Sequence, residues 1–476
     1  MTGTLDLELT ERSACDLATE IRSGHLSARE LTSACLQRVE RLNPTLNALV
    51  TVDAEGALDR AACADERQAR GETLGPLHGL PVAHKDSFLT KGMRTTWGSR
   101  VFADHVPDQD SLIVARQAEA GSILLGKTNL PEFGAGSQTF NEVFGATRNP
   151  FAPELTCGGS SGGSAVALAT GMVALADGTD MGGSLRNPAS FCNLVGLRPS
   201  MGRVPNWPNT NSFGQLTVAG PLGRCVADVA LLLSVIAGPD RRDPLSVDAP
   251  ASVFRGRLEA DFKGARIAYS PDLGGLPVAR EVRTVIDQGA LRMADLGGSV
   301  EQAEPDFAGA AQAFQVLRAL TYATGYAHLL KDRRHLLKED LVWNIELAQR
   351  FSVQDVIAAE AVRARLFRDT QALLERYDFL VAPVSQVLPF PVERPFVERI
   401  GERPMGNYIE WMNSCSLITL TGHPAISLPC GFSDDGLPVG IQVIGRYRDE
   451  LTLLKFAQAF ETLNAPQIAR SRVRRW

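Results

Sequence analysis

The amino-acid sequence predicts an α/β fold, with helices layered on a central sheet in one large domain. Three observations carry that prediction. Short runs rich in Val, Ile and Leu alternate with long helical stretches, the pattern of α/β layers. The composition, 44% hydrophobic and 21% charged, provides ample material for a buried core. The 476 residues contain no internal repeat, low-complexity tract or linker-like segment at which to divide the chain.

The elements follow in order. "SARE", Ser27 to Glu30, is a capping box, with a serine at the N-cap and a glutamate three residues on, and it opens an amphipathic helix to about Leu42. The first 75 residues read as helical. An apolar strand, "LPVAHKD", follows from Leu80 to Asp86, then a helix from Ser111 to Ala120 and a β-type run "SILLG". "SAVALATGMVALA", from Ser164, is apolar almost all round, which predicts a helix buried on every side. The segment from Asp177 to Ser200 holds too many turn formers for one regular element. Further on, "ARIAYS", "FLVAPV", "AISLPC" and "VGIQVIG" read as strands, and Val353 to Tyr377 reads as a long helix.

Charge and cysteine usage exclude several functions. A net charge of −6 and a pI near 5.8 give no global attraction for nucleic acid. The one basic cluster, Arg470, Arg472, Arg474 and Arg475, sits at the chain end, forms no groove and is expected to be solvated. The acidic N-terminus lacks a signal peptide, and no apolar run reaches the ~20 residues that span a bilayer. Eight scattered cysteines, with no C-x-x-C and no zinc spacing, predict no metal and reduced thiols in a cytoplasm. Cys157 and Cys192 read as small buried side chains.

The chemistry concentrates in "TCGGSSGGSA", Thr156 to Ala165. A flexible linker is excluded, because an apolar helix that must be buried begins at once. "GSILLGKT", Gly121 to Thr128, fits the phosphate-loop pattern, but a helix precedes it and its centre is strand-like. "GGSSG" fits the nucleophile elbow, with His328, His335 and His423 downstream as candidate bases. A strand should lead into an elbow, however, and "PFAPELTC" carries two prolines, Pro150 and Pro153. The loop around Ser160 therefore reads as a constrained one, held in shape by its glycines. A second such element, "TDMGGSLRNP", places Ser184 after paired glycines, with Asp180 and Arg186 around it. Upstream, Lys85 lies between Ala83 and Phe88 and needs a partner or a lowered pKa. Strand alternation sends Lys85 to one face and His84 and Asp86 to the other.

Together these residues resemble the amidase signature family. Its marks are the Gly/Ser-rich core GGSSGGS, then G-[ST]-D-x-G-G-S-[IL]-R-x-P, matched from Gly178 to Pro188, and an upstream lysine in a P-x-x-x-K-D context, matched from Pro81 to Asp86. The later "TGHPAISLPCGF" and "GLPVGIQVIG" extend the likeness over nearly the whole chain. The resemblance implies one amidase signature domain over residues 1–476, with a helical N-terminal part (1–75), a signature core (76–230) and an α/β remainder (231–476). It implies a central mixed sheet flanked on both sides by helices.

By the same resemblance Ser184 is the nucleophile, Ser160 a bridging serine after a cis Gly159–Ser160 bond, and Lys85 the base. The N–H groups of Met181, Gly182, Gly183 and Ser184 form an oxyanion hole, and Asp180, Arg186 and Ser161 support it. Gly134, Ala135 and Gly136 contact substrate, with Phe133, Phe140 and Phe144 nearby. Such machinery uses no cofactor and no histidine, so His84, His105 and His423 are expected to be packed or exposed bystanders, and Ser161 and Ser164 to hydrogen-bond within the loop. The expected activity is hydrolysis of the C–N bond of a small-molecule amide with an aryl or apolar acyl group, extending to esters or carbamates. The alternative is the transamidating A subunit of a tRNA-dependent amidotransferase. Relatives of that kind usually read "SSLDQIGP" where this chain has "FGQLTVAGPLG", Phe213 to Gly223. The expected partner is the small-molecule substrate, without nucleic acid or membrane, and a homodimer is compatible with the sequence.

Overall fold

The β-type runs assemble into one mixed sheet of eleven strands. The computed structural model describes residues 9–468, so the C-terminal arginine cluster lies outside the described residues. Numbering only the strands of this sheet, β1 is Leu49–Val52, β2 Pro81–Lys85, β3 Ile123–Thr128, β4 Leu175–Asp180, β5 Val195–Arg198 and β6 Val218–Gly223. Then come β7 Arg266–Tyr269, β8 Ser299–Gln302, β9 Phe379–Pro383, β10 Ala425–Phe432 and β11 Pro438–Ile444. Their order across the sheet is β1-β3-β2-β4-β6-β5-β10-β11-β9-β7-β8.

The sheet is parallel from β3 through β2 to β4 and antiparallel through its middle. It returns to parallel pairing from β9 through β7 to β8. Because β2 and β4 run side by side in one direction, Lys85 and Thr179 both emerge at the carboxyl edge, where open α/β sheets place their ligands.

Each face of the sheet carries its own apolar layer, and β9 shows the division. Phe379 and Val381 join one layer with Leu17, Leu31, Val229 and Phe460. Leu380 and Ala382 join the other with Phe314, Leu366, Trp411 and Ile418, as period-two alternation requires. Helices therefore cover both faces. Among the described residues, no helix is long and apolar enough to cross a membrane.

Several elements differ from the sequence reading. Residues 1–75 are not wholly helical, since β1 pairs antiparallel with β3 at the sheet edge. The helix opened by the Ser27–Glu30 capping box extends to Leu46 rather than Leu42. Pro44 falls in its last turn, where it removes one backbone N–H donor. The apolar helix after the glycine-rich loop is buried as expected but spans only Gly162–Ala169. Gly171, at φ +71°, ends it, and Leu175 already belongs to β4. The turn-rich segment resolves into the end of β4, a short helix Arg186–Phe191 and β5.

Candidate active site

Lys85, the last residue of β2, is wholly buried. Its ammonium donates to Ser160 Oγ at 2.7 Å, Ser161 Oγ at 3.0 Å and Thr179 Oγ1 at 2.8 Å. Burial pulls the amine down to about 7, against the opposing attraction of Asp180 and Asp177. Near neutral pH it is thus divided between ammonium and free amine.

The loop carrying Ser160 depends on glycine for close approach. A Cβ on Gly163 would meet the backbone nitrogen of Asn129 at 2.3 Å, so only hydrogen lets the loop seat on the end of β3. Thr139 Oγ1 donates to Gly158 O at 2.8 Å and accepts from Gly162 N at 3.2 Å. The Gly159–Ser160 bond is cis, as the resemblance implied. Ser161 N donates to Ser184 O at 3.2 Å and ties this loop to the next one. Ser164, expected to bond within the loop, instead pairs with Thr128 Oγ1 on β3 at 2.7 Å.

The turn after β4 is organised by Asp180. Its carboxylate accepts from Gly183 N at 2.9 Å, Leu185 N at 3.2 Å, and Arg186 Nε and Nη2 at 3.0 and 2.9 Å. Burial alone would raise this carboxyl, but the charges and hydrogen bonds of Arg186, with Arg198, hold it well below the usual carboxylate range. Gly183 is required twice over. Its φ is +109°, and a Cβ would come within 2.6 Å of Cys415 Cβ. Its N–H is committed to Asp180, which corrects the expectation of four oxyanion donors. Among the described residues the N–H groups of Met181, Gly182 and Ser184 have no backbone or side-chain acceptor.

Ser184 is the most open of the three aligned residues, 7% exposed against 1% for Ser160 and none for Lys85. Among the described residues its hydroxyl forms no hydrogen bond, so Lys85 is joined to Ser160 but Ser160 is not joined to Ser184.

Two participants escaped the sequence reading. Thr179 stands inside the G-T-D motif, yet the motif says nothing of a bond to Lys85. Asp177 is wholly buried and accepts from Lys85 N at 2.9 Å and Gln117 Nε2 at 2.9 Å, and it meets His84 Nδ1 at 2.6 Å. Its signal was an acidic residue in an apolar strand, the same oddity that drew attention to Lys85. A second buried lysine, Lys127, bonds Phe88 O, Thr90 Oγ1 and Thr95 Oγ1 and anchors the segment that follows β2. Burial pulls it to about 8. It lies within β3, so the phosphate-loop pattern is a strand inside the sheet.

A cavity of about 680 Å³ opens over Lys85 and Thr179. One wall is aromatic, with Trp97, Phe102, Phe133, Tyr322 and Tyr326 in a continuous run of ring contacts. The lining also includes the polar side chains of Gln109, Asn206, Asn209 and Asn211. Trp97 and Phe133 hold φ of 53° and 48°, the left-handed region that side chains rarely adopt, and Phe133 N donates to Trp97 O at 2.8 Å.

Of the expected contacts Gly134, Ala135 and Gly136, only Gly134 lines the cavity. Ala135 is buried, its carbonyl accepting from Lys338 Nζ at 2.6 Å, and Gly136 packs beside Tyr408. Phe133 lines the wall. Phe140 and Phe144 instead lie under Lys338 and Arg94. His84 and His423 are packed, whereas His105 faces the cavity. Burial pushes His423, held by Thr421 O and Gln371, down to about 4. Among the described residues no group of three or more His, Cys, Asp or Glu could hold a metal ion.

Such a set can draw a proton from a hydroxyl and hold a developing negative charge beside an apolar cavity. Comparison with known proteins agrees with that chemistry. The profile of the Amidase family matches residues 30–454. The A subunit of a glutamyl-tRNA(Gln) amidotransferase from Moorella thermoacetica is 36% identical, over 96% of this chain and 97% of its own. An acylamidase from Rhodococcus erythropolis is 34% identical, over 95% of each chain. The crystal structure of a bacterial aryl acylamidase, of the amidase signature enzymes, superposes with a TM-score of 0.89 at 30% identity, over 96% of this chain and 98% of that one.

Proposed function

The chain belongs to the amidase signature family, and from that premise we propose that it is a stand-alone serine hydrolase cleaving the C–N bond of a small-molecule amide with an aryl or apolar acyl group. The observation that carries this reading is the buried amine of Lys85, bonded to Ser160 at 2.7 Å on the floor of an aromatic-walled cavity.

A serine hydroxyl is a poor nucleophile without a positioned base, and a lysine serves only when neutral. Burial supplies that form of Lys85 near pH 7. Ser160 passes its proton to Lys85 and takes one from Ser184 as Ser184 Oγ attacks the carbonyl carbon. Substrate entry has to close the Ser160–Ser184 link. The oxyanion accepts from the N–H groups of Met181, Gly182 and Ser184, of which one such donor typically contributes about 2.7–4 kcal/mol. The proton then returns through Ser160 to the departing nitrogen, and water hydrolyses the acyl-enzyme. Esters and carbamates fit the same steps with easier leaving groups.

The aromatic wall supports an aryl or apolar acyl group. The acylamidase relative and the aryl acylamidase structure point the same way. The likeness to the Moorella protein favours a second reading, a transamidating component of a larger complex. Against it, the departing stretch from Phe213 to Gly223 contributes Gly214 and Thr217 to the cavity wall, so the difference falls where substrate would sit.

A fluorophosphonate probe tests the nucleophile. Labelling maps to the Ser184 peptide and disappears in Ser184→Ala; labelling that maps to Ser160 overturns the assignment. Turnover of anilides, aliphatic amides, carbamates and primary amides by the isolated chain separates the two readings, because a transamidating component needs its complex.

A further inference from the structure

Arg318, on the helix Ala310–Tyr326, is only 2% exposed and, among the described residues, makes no ion pair. Arginine stays protonated in proteins, and buried charges are normally matched by an opposite one. Arg186 and Arg198, equally buried, share Asp180. The surroundings of Arg318 are neutral. It donates to Tyr408 Oη at 2.9 Å and to Met181 Sδ at 3.3 Å. Its guanidinium lies 4.6 Å from the Tyr322 ring centroid and 5.7 Å from that of Tyr408, and among the described residues its Nε has no partner.

Its place gives this unmatched charge a use. One turn earlier on the same helix, Phe314 Cζ lies 3.2 Å from where a Cβ on Gly182 would be, so the helix packs directly behind the Met181–Ser184 turn. Met181 stands between the guanidinium and the cavity, which it lines. The positive charge therefore lies against the Met181 side chain, next to the turn whose Met181 and Gly182 N–H groups are unpaired among the described residues and where the amide oxygen would become negative.

We propose that Arg318 is a positioning residue for amide cleavage: it fixes Met181 behind the turn, and its buried charge favours the oxyanion over the neutral ground state. The proposal rests on the hydrolase reading above. A charge already fixed in a dry site requires no rearrangement as the oxyanion forms, so its effect appears in kcat rather than in binding.

The test compares Arg318→Met, Arg318→Gln and Arg318→Lys with the wild-type protein on one anilide. The glutamine variant keeps a donor for Tyr408 and serves if the methionine variant does not fold. Both neutral variants are expected to lose about tenfold or more in kcat with KM within about twofold, less than the 10²–10³ of a lost direct donor. The lysine variant restores most of the rate. The acid limb of the pH profile stays in place, because the charges that act on Lys85 are Asp180 and Asp177. A glutamine variant with wild-type kcat, a lysine variant as slow as the glutamine one, or a moved acid limb overturns the proposal. Fluorophosphonate labelling of Ser184 is followed in every variant. A wild-type protein that neither labels nor turns over rejects the hydrolase reading itself, an outcome distinct from failure at Arg318.

Discussion

Lys85→Met removes the amine while keeping an unbranched apolar stem, and it is expected to abolish turnover while making the fold more stable. Lys85 is wholly buried and its pKa falls from 10.5 to about 7. At about 1.36 kcal/mol per unit, burying this lysine costs the folded state about 5 kcal/mol below neutral pH. The three hydrogen bonds it makes return about 1 kcal/mol each. The variant should therefore exceed the wild type by about 2 kcal/mol at low and neutral pH.

The sign with pH follows from proton counts. The folded value is depressed, so between about 7 and 10.5 the unfolded chain binds more protons than the folded one. Wild-type stability then rises across that window, by about 2 kcal/mol from pH ~7 to ~9. Urea unfolding of both proteins at several pH values isolates the effect, since every other group is common to the two. A variant that is less stable throughout, or a gap that fails to close as the pH is raised, refutes a neutral buried amine as the base.

Three further outcomes are expected. On the proposed mechanism, in which Lys85 takes the proton as a free amine, kcat/KM is expected to rise with pH to a plateau with a midpoint near 7; a midpoint in the ordinary carboxylate range on a pH–rate profile would point to another base. Asp180→Asn leaves Arg186 and Arg198 buried without a carboxylate and should cost about 3–5 kcal/mol in urea unfolding. An unchanged midpoint would show that the pair does not brace the turn. Phe133→Gly suits the left-handed backbone there and removes one ring from the wall; KM for anilides should rise about tenfold, from a loss of about 1.4 kcal/mol in binding, while that for a small aliphatic amide holds.

How far the site was legible depends on whether its chemistry is local. Ser160 and Ser184 sit in loops whose glycines announce a constrained backbone, and Lys85 was conspicuous because a charge in an apolar strand demands an explanation. The strands at Arg266, Phe379, Ala425 and Pro438 fall where short apolar runs between helical stretches put them. What failed was non-local. β1 is only four residues long and is stabilised by pairing with β3, from which seventy residues of chain separate it. That Gly183 N–H is spent could not be read because the Asp180 carboxylate decides it. Tyr322 and Tyr326 share one helix face at i, i+4 spacing, a pattern that ordinary core residues also show, so only the tertiary structure reveals that they face a cavity.

The helix bearing those tyrosines lies more than a hundred residues downstream of Ser184 and donates no atom to the Lys85–Ser160 bond. The cavity wall is thus drawn from two stretches of the chain, one from Trp97 to Phe133 between Lys85 and Ser160, the other from Tyr322 to Tyr326 far beyond Ser184. On the proposed function, new aromatic or aliphatic side chains at the Tyr322–Tyr326 end of that helix, away from Arg318, would reshape which acyl groups enter while the Lys85–Ser160 bond stays in place.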